Sequence, residues 1–107
     1  MVEADAPAVA VLDRITLPRG EVGRWIERMH QEYRPRAEER GLTLVGVWQT
    51  RAENADTVEV TVLWTLPGPR EFFRSRATSL EAAAWWRETD AIALRRDRRV
   101  MQAADAP

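Results

Sequence analysis

The stretch RWIERMHQEYRPR, Arg24 to Arg36, places the only histidine of the chain, His30, three residues before its only tyrosine, Tyr33. At that spacing the two side chains stand on neighbouring lines of a helix. An imidazole exchanges protons near neutral pH and can act as a general base. A phenol can donate to, or orient, a bound carbonyl. Against this stand plainer readings, a boundary histidine bonded to solvent or backbone and a core tyrosine with its hydroxyl at the edge. Five tryptophans in 107 residues are the second unusual feature. Trp25, Trp48, Trp64 and Trp86 could line a flat pocket for a planar ligand, with Ile26 beside His30 and Asp90 one turn beyond Trp86. The same rings could equally be bulky filler for a small core.

Other chemistry is excluded by what the chain lacks. With no cysteine there is no disulfide, thiolate nucleophile or cysteine metal site, and a lone histidine leaves no zinc set. All sixteen basic residues are arginine, so Schiff-base chemistry has no amine. No glycine-rich phosphate loop or hydrolase nucleophile motif is present. No metal and no cofactor is therefore expected, haem ligation by His30 being the residual alternative. A net charge of −1 gives no pull toward nucleic acid or membrane. The basic run Arg95 to Arg99 has no aromatic residue interleaved and reads as a solvated helix end. No apolar run is long enough to span a bilayer and no leader opens the chain, so the cytoplasm is the expected compartment.

Those side chains must be positioned by secondary structure. Residues 8–102 read as one domain, with 1–7 and 103–107 as small, acidic, proline-marked tails. Ala8 to Leu17 has the β-branched content of a strand, ended by Pro18 and Gly20. From Glu21 the apolar residues take helical spacing, with Pro35 kinking or restarting the helix near Arg34 and Gly41 stopping it. Leu42 to Thr50 and Asp56 to Leu66 read as a hairpin whose turn centres near Asn54. A short helical segment at PGPREFF follows. Thr78 and Glu81 then form a capping box for a second helix running from Leu80 to Arg96, and DRRVMQ supplies a fourth strand. The order β-α-β-β-α-β is the ferredoxin-like α+β arrangement, a four-stranded antiparallel sheet with two helices on one face.

The hairpin register predicts what each sheet face holds. Pairing Trp48 with Val60 and Leu44 with Trp64 puts Leu44, Gly46, Trp48, Val60, Val62 and Trp64 on one face. The opposite face then carries Val45, Val47, Gln49, Glu59, Thr61 and Leu63. Both are too apolar for water, and two helices can cover only one. A second copy of the chain is the expected cover, giving a homodimer. Glu59, Thr61 and Arg14 are the polar residues expected on that dimer face, where Arg14 or Arg51 could pair with Glu59. Asp13 and Arg14 point to opposite faces, so one of them must be directed inward.

A β-α-β-β-α-β unit closing on its open sheet face resembles the dimeric α/β-barrel superfamily, and within it the NIPSNAP-like group. The likeness lies in MHQEYRPRAEERGLTLVGVWQT, a helix with proline near its end running through glycine into a Leu-Val-Gly-x-Trp strand. TVEVTVLWTL and the tryptophan-bearing second helix before RDRRVM extend it over roughly Val9 to Met101. The resemblance implies a homodimeric barrel with a ligand cleft between helices and sheet. It also implies a small-molecule partner and an activity of the cofactor-free oxygenase, lactone isomerase or polyketide cyclase kind. In that setting His30 would be the base, Tyr33 the orienter and Trp48 or Trp64 the platform for an aromatic or polyketide-like substrate. A binding or protein-interaction module without chemistry is the alternative, since fold alone does not fix a reaction.

Overall fold

The structure is a computed structural model and describes residues 9–51, 55–68 and 80–105. Strand β1 spans Val9–Pro18, β2 Thr43–Gln49, β3 Thr57–Leu66 and β4 Arg95–Gln102. They form one sheet in the order β2-β3-β1-β4 with every neighbouring pair antiparallel. Between β1 and β2 the chain runs through α1, Val22–Arg28, a π-helical turn Met29–Tyr33, and α2, Arg34–Glu39. Helix α3, Leu80–Ile92, connects β3 to β4. This is the expected α+β arrangement. The asparagine turn, residues 69–73 of the PGPREFF segment and the Thr78 cap lie outside the described residues.

Alternation builds the core. On β1, residues Val9, Val11, Asp13, Ile15 and Leu17 are buried in every second position. On β3, Val58, Val60, Val62, Trp64 and Leu66 are buried the same way. The register sets Val11 against Trp64, Asp13 against Val62 and Ile15 against Val60, so the two rows share the face on which the helices pack. Trp25, Met29, Tyr33 and Ala37 come down on it from the first helical run, and Ala82 and Trp85 from α3.

Two local devices shape that helical run. Pro35 has no N–H for the carbonyl four residues back, and its ring crowds that carbonyl. The turn before it widens, and the Arg34 N–H bonds Met29 O, five residues behind. The helix restarts at Arg34, where proline was expected to act. It stops at Gly41, whose φ of +97° suits a residue without Cβ.

Two expectations are corrected. The hairpin pairs Leu44 with Trp64 as predicted, but Val45 bulges out, and beyond it Gly46 faces Leu63, Val47 faces Val62 and Trp48 faces Thr61. One extra residue flips every later side chain to the other face. Trp48 and Gly46 therefore lie on the open face, and Val47 rather than Trp48 joins Trp64 toward the helices. The second correction concerns Arg95 to Arg99. They begin β4 instead of ending a helix, because α3 stops at Ile92. The β1 partnership accounts for this: β4 lies at the sheet edge, and its arginines find carboxylates on both faces.

Candidate functional site

The π-turn positions Tyr33 at the centre of an aromatic cluster. Its ring stacks on Trp85, centroids 5.5 Å apart with planes at 24°. It meets Trp64 edge-on at 5.7 Å and Trp86 at 5.5 Å. Trp25 joins through Trp85, 5.5 Å away. Aromatic contacts of this kind add about 0.5–1.5 kcal/mol each beyond area burial. Trp25 also donates its indole N–H to Thr89 Oγ1 at 3.0 Å inside the core, which ties α1 to α3. The indole nitrogens of Trp64 and Trp85 are buried without a partner. Each unmet donor costs about 1–3 kcal/mol, so the cluster has been packed at the expense of its polar edges.

Outside this cluster, between the first helical run and α3, lies a groove of about 520 Å³. Its floor is Tyr33 and Trp85, and its rim includes Glu32, Arg36, Glu39 and Glu88. The volume falls within the range of small-molecule sites, about 300–1,000 Å³. Arg28 steadies one lip: it donates to Glu32 at 2.9 Å and to Glu88 at 2.6 Å, bridging the two helices over the Trp85 ring. Hydrogen bonds from Arg28 hold the Glu32 carboxylate below its ordinary pKa.

A charged layer lies beneath Tyr33. Asp13, 1 % exposed, is the inward-facing member of the Asp13–Arg14 pair. It accepts a bidentate pair from Arg98, 2.6 and 2.9 Å, directly across the β1–β4 ladder. Burial disfavours the Arg98 cation, but the hydrogen bonds and charge of Asp13 outweigh it and raise the Arg98 pKa. Arg98 also donates to the Tyr33 hydroxyl at 3.5 Å, and Arg40, at the end of α2, donates to the same oxygen at 3.3 Å. Arg96 and Arg98 lie over the Trp86 ring at 4.7 and 5.3 Å, and Arg96 binds Asp90 through both nitrogens. Aromatic interleaving of the arginine run, invisible along the chain, is thus supplied in space by Trp86.

The sequence-derived site residues are only partly brought together. Tyr33 lines the groove, while Trp25 and Trp64 are buried within the core and Ile26 packs at its margin. Trp86 is half-buried under its two arginines, and Asp90 reaches them from the surface. His30 is exposed, with Arg34 Nη1 3.3 Å from its Nδ1, and does not line the groove. The plainer reading of a boundary histidine is the nearer one for this position. On the open face Trp48 is 53 % exposed and lies over Gly46, where a Cβ would come within 2.6 Å of the indole. Arg14 pairs with Asp97 at 2.9 Å instead of with Glu59, since Asp97 stands opposite it on β4. Thr61 faces Trp48 there. Four contributors went unassigned: Trp85, Arg40, Arg98 and Asp13. Asp13 had a signal, as a carboxylate on an otherwise apolar strand face, and Trp85 had one as a member of the five-tryptophan set.

The sequence matches no protein-family model and no curated protein. Solved structures do match. An uncharacterised NIPSNAP domain protein from Burkholderia xenovorans superposes with a TM-score of 0.67 at 14 % identity, covering 92 % of this chain and 98 % of that one. The chain has the ferredoxin-like fold of NIPSNAP domain proteins. A dimeric ferredoxin-like protein from an uncultured marine organism gives a TM-score of 0.67 at 6 % identity, over 97 % of this chain and 94 % of the other. SnoaB, a cofactor-independent oxygenase from Streptomyces nogalater, gives 0.65 at 16 % identity, over 94 % and 97 %. The NIPSNAP domain proteins and SnoaB thus share one architecture, and this chain shares it with them.

Proposed function

We propose that this NIPSNAP-like chain binds a planar aromatic or polyketide-like molecule in the groove floored by Tyr33 and Trp85. It acts there as a cofactor-independent enzyme, and it works as a homodimer. The groove carries this reading: its volume suits a ligand of two or three fused rings, and two stacked aromatic side chains form its floor. Tyr33 is the group that orients the ligand, because its hydroxyl is tied to arginines while its ring lines the groove. The fold shared with SnoaB is compatible with chemistry that needs no metal or organic cofactor. A role for His30 as base needs its side chain to swing from Arg34 toward the groove mouth.

The alternative, a binding or interaction module with no chemistry, draws on a different observation. The space between helices and sheet is filled by Trp25, Met29, Tyr33, Trp64 and Trp85, each under 7 % exposed. The two readings separate by experiment. The five indole N–H signals of the chain can be assigned by single Trp→Phe changes and followed by NMR as planar bicyclic and tricyclic ligands are added. Shifts centred on Trp85 support the groove. Shifts confined to Trp48, or none, defeat it. If a turned-over substrate is found, His30→Ala with unchanged kcat removes His30 from the mechanism.

A further inference from the structure

We propose that the groove selects a cationic ligand, a planar aromatic ring bearing an amidinium or protonated amine, with the Glu39 carboxylate receiving the charge. The proposal rests on the reading of the groove as the ligand site and adds to it the sign of the ligand's charge. Among the described residues the groove is lined by three carboxylates, Glu32, Glu39 and Glu88, against one guanidinium, Arg36. A concave surface lined mainly by one sign of charge, with aromatic rings for its floor, focuses its field into the opening. The first helical run supplies Glu32 and Glu39, about 10 Å apart along the helix axis, and α3 supplies Glu88 across from Glu32. The groove thus offers an apolar floor between two acidic ends.

A cation is already seated on part of this surface. The Arg28 guanidinium donates to both oxygens of Glu32, at 2.9 and 3.0 Å, and to Glu88 at 2.6 Å. It also lies 5.6 Å from the centroid of the Trp85 ring. Hydrogen bonds to Glu32 and then Glu88 push the Arg28 pKa above the ordinary arginine value, so these carboxylates favour a planar cation beside them. Two groove carboxylates and an indole therefore hold a guanidinium within the chain itself, by charge-assisted hydrogen bonds and a cation–π contact. Glu39 is the third carboxylate, and it differs. Glu38 beside it is matched by Arg34 at 3.0 Å, whereas among the described residues Glu39 makes no hydrogen bond or ion pair. A ligand with its ring on Tyr33 and Trp85 and its cation at Glu39 would pair that carboxylate.

The test is calorimetric titration of the purified protein with naphthamidine, naphthamide and naphthoate, which share one ring and carry a positive, a zero and a negative charge. Glu39 is exposed, so a single ion pair there should make naphthamidine bind about threefold to fivefold more tightly than naphthamide. Naphthoate should bind most weakly of the three. The Trp85 indole N–H signal should shift on binding, which places the ring in the groove. Glu39→Gln should abolish the preference for naphthamidine, and Glu38→Gln, one residue away on the same exposed turn, should leave it intact. Raising the salt concentration should weaken naphthamidine and leave naphthamide unchanged, a readout that needs no variant. Equal affinities, a preference for naphthoate, or a preference for naphthamidine that survives Glu39→Gln overturns the cation selection and leaves the groove standing. If none of the three probes moves the Trp85 signal, the ligand-site reading falls and the charge selection with it.

Discussion

Asp13 and Arg98 show how much one residue pair can specify in a small core. The Asp13 side chain is 2 % exposed and that of Arg98 30 %, so the pair is half in the core and half at its edge. Such pairs add little net stability over apolar replacements, but removing one partner strands the other. Arg98→Met should therefore cost about 3 kcal/mol, the low end for a broken buried pair because Arg98 is partly solvated, read as a lower urea midpoint. Asp13→Asn in the same chain should recover a good part of that loss; if it makes matters worse, the stranded carboxylate is not the cause. Thr89→Val should cost about 1–3 kcal/mol by orphaning the Trp25 indole, joining two indoles that are already unpaired. On the surface, hydrogen bonds to Arg28 and Arg96 hold the carboxylates of Glu32 and Asp90 below their ordinary pKa values. A carboxylate with a lowered folded-state pKa stabilises above the unfolded value, and that contribution is lost as pH falls through the lowered one. The melting temperature should then be flat from neutrality to about pH 5 and decline below about pH 4, less steeply in high salt. A decline that salt leaves unaltered would assign it to other groups.

Elements divide into those that a local rule decides and those that depend on a partner. Strands β1 and β3 were legible because apolar residues alternate, and the helical restart at Arg34 because proline leaves few options. The stop at Gly41 belongs with them: with φ at +97°, Gly41→Ala should lower stability by about 1 kcal/mol while leaving open space around the added methyl. A neutral result in thermal melts would mean that the C-terminal turn simply refolds. The bulge at Val45 was not legible. LVGVW alternates equally well in either register, and nothing local in the sequence marks the extra residue at Val45. Strand β4 was half legible for a related reason. RRDRR has no apolar face of its own, and it becomes a strand because Asp13, Arg14 and Thr16 stand opposite. The groove was legible least of all. Tyr33 stood out as a lone tyrosine, but Trp85 and Arg98 acquire meaning only once α3 and β4 are brought alongside it.

At the scale of the whole molecule the shortest dimension, 20 Å, is that of one sheet and one layer of helices. The other side of the sheet carries Leu12, Leu63, Trp48 and Met101, set among Arg14, Asp97, Glu59 and Thr61. Trp48 and Met101 are 53 and 40 % exposed there, and the bulged Val45, on the β2 edge, is 54 %. A large indole laid flat across a sheet and half open to water contributes little to the monomer, whereas aromatic residues are enriched at interface centres. Arg14 and Asp97 already satisfy one another, so this face can be covered without stranding either charge. The dimeric reading thus yields a prediction independent of the groove. Analytical ultracentrifugation should find two 12.3 kDa chains associated at micromolar concentration. Trp48→Glu should release folded monomers with unchanged far-ultraviolet circular dichroism, because the core is built on the opposite face by Trp64, Val62 and Val60. A wild-type monomer at that concentration would defeat the dimer without touching the groove. A Trp48→Glu protein that unfolds would show instead that the indole over Gly46 holds β2 on the sheet.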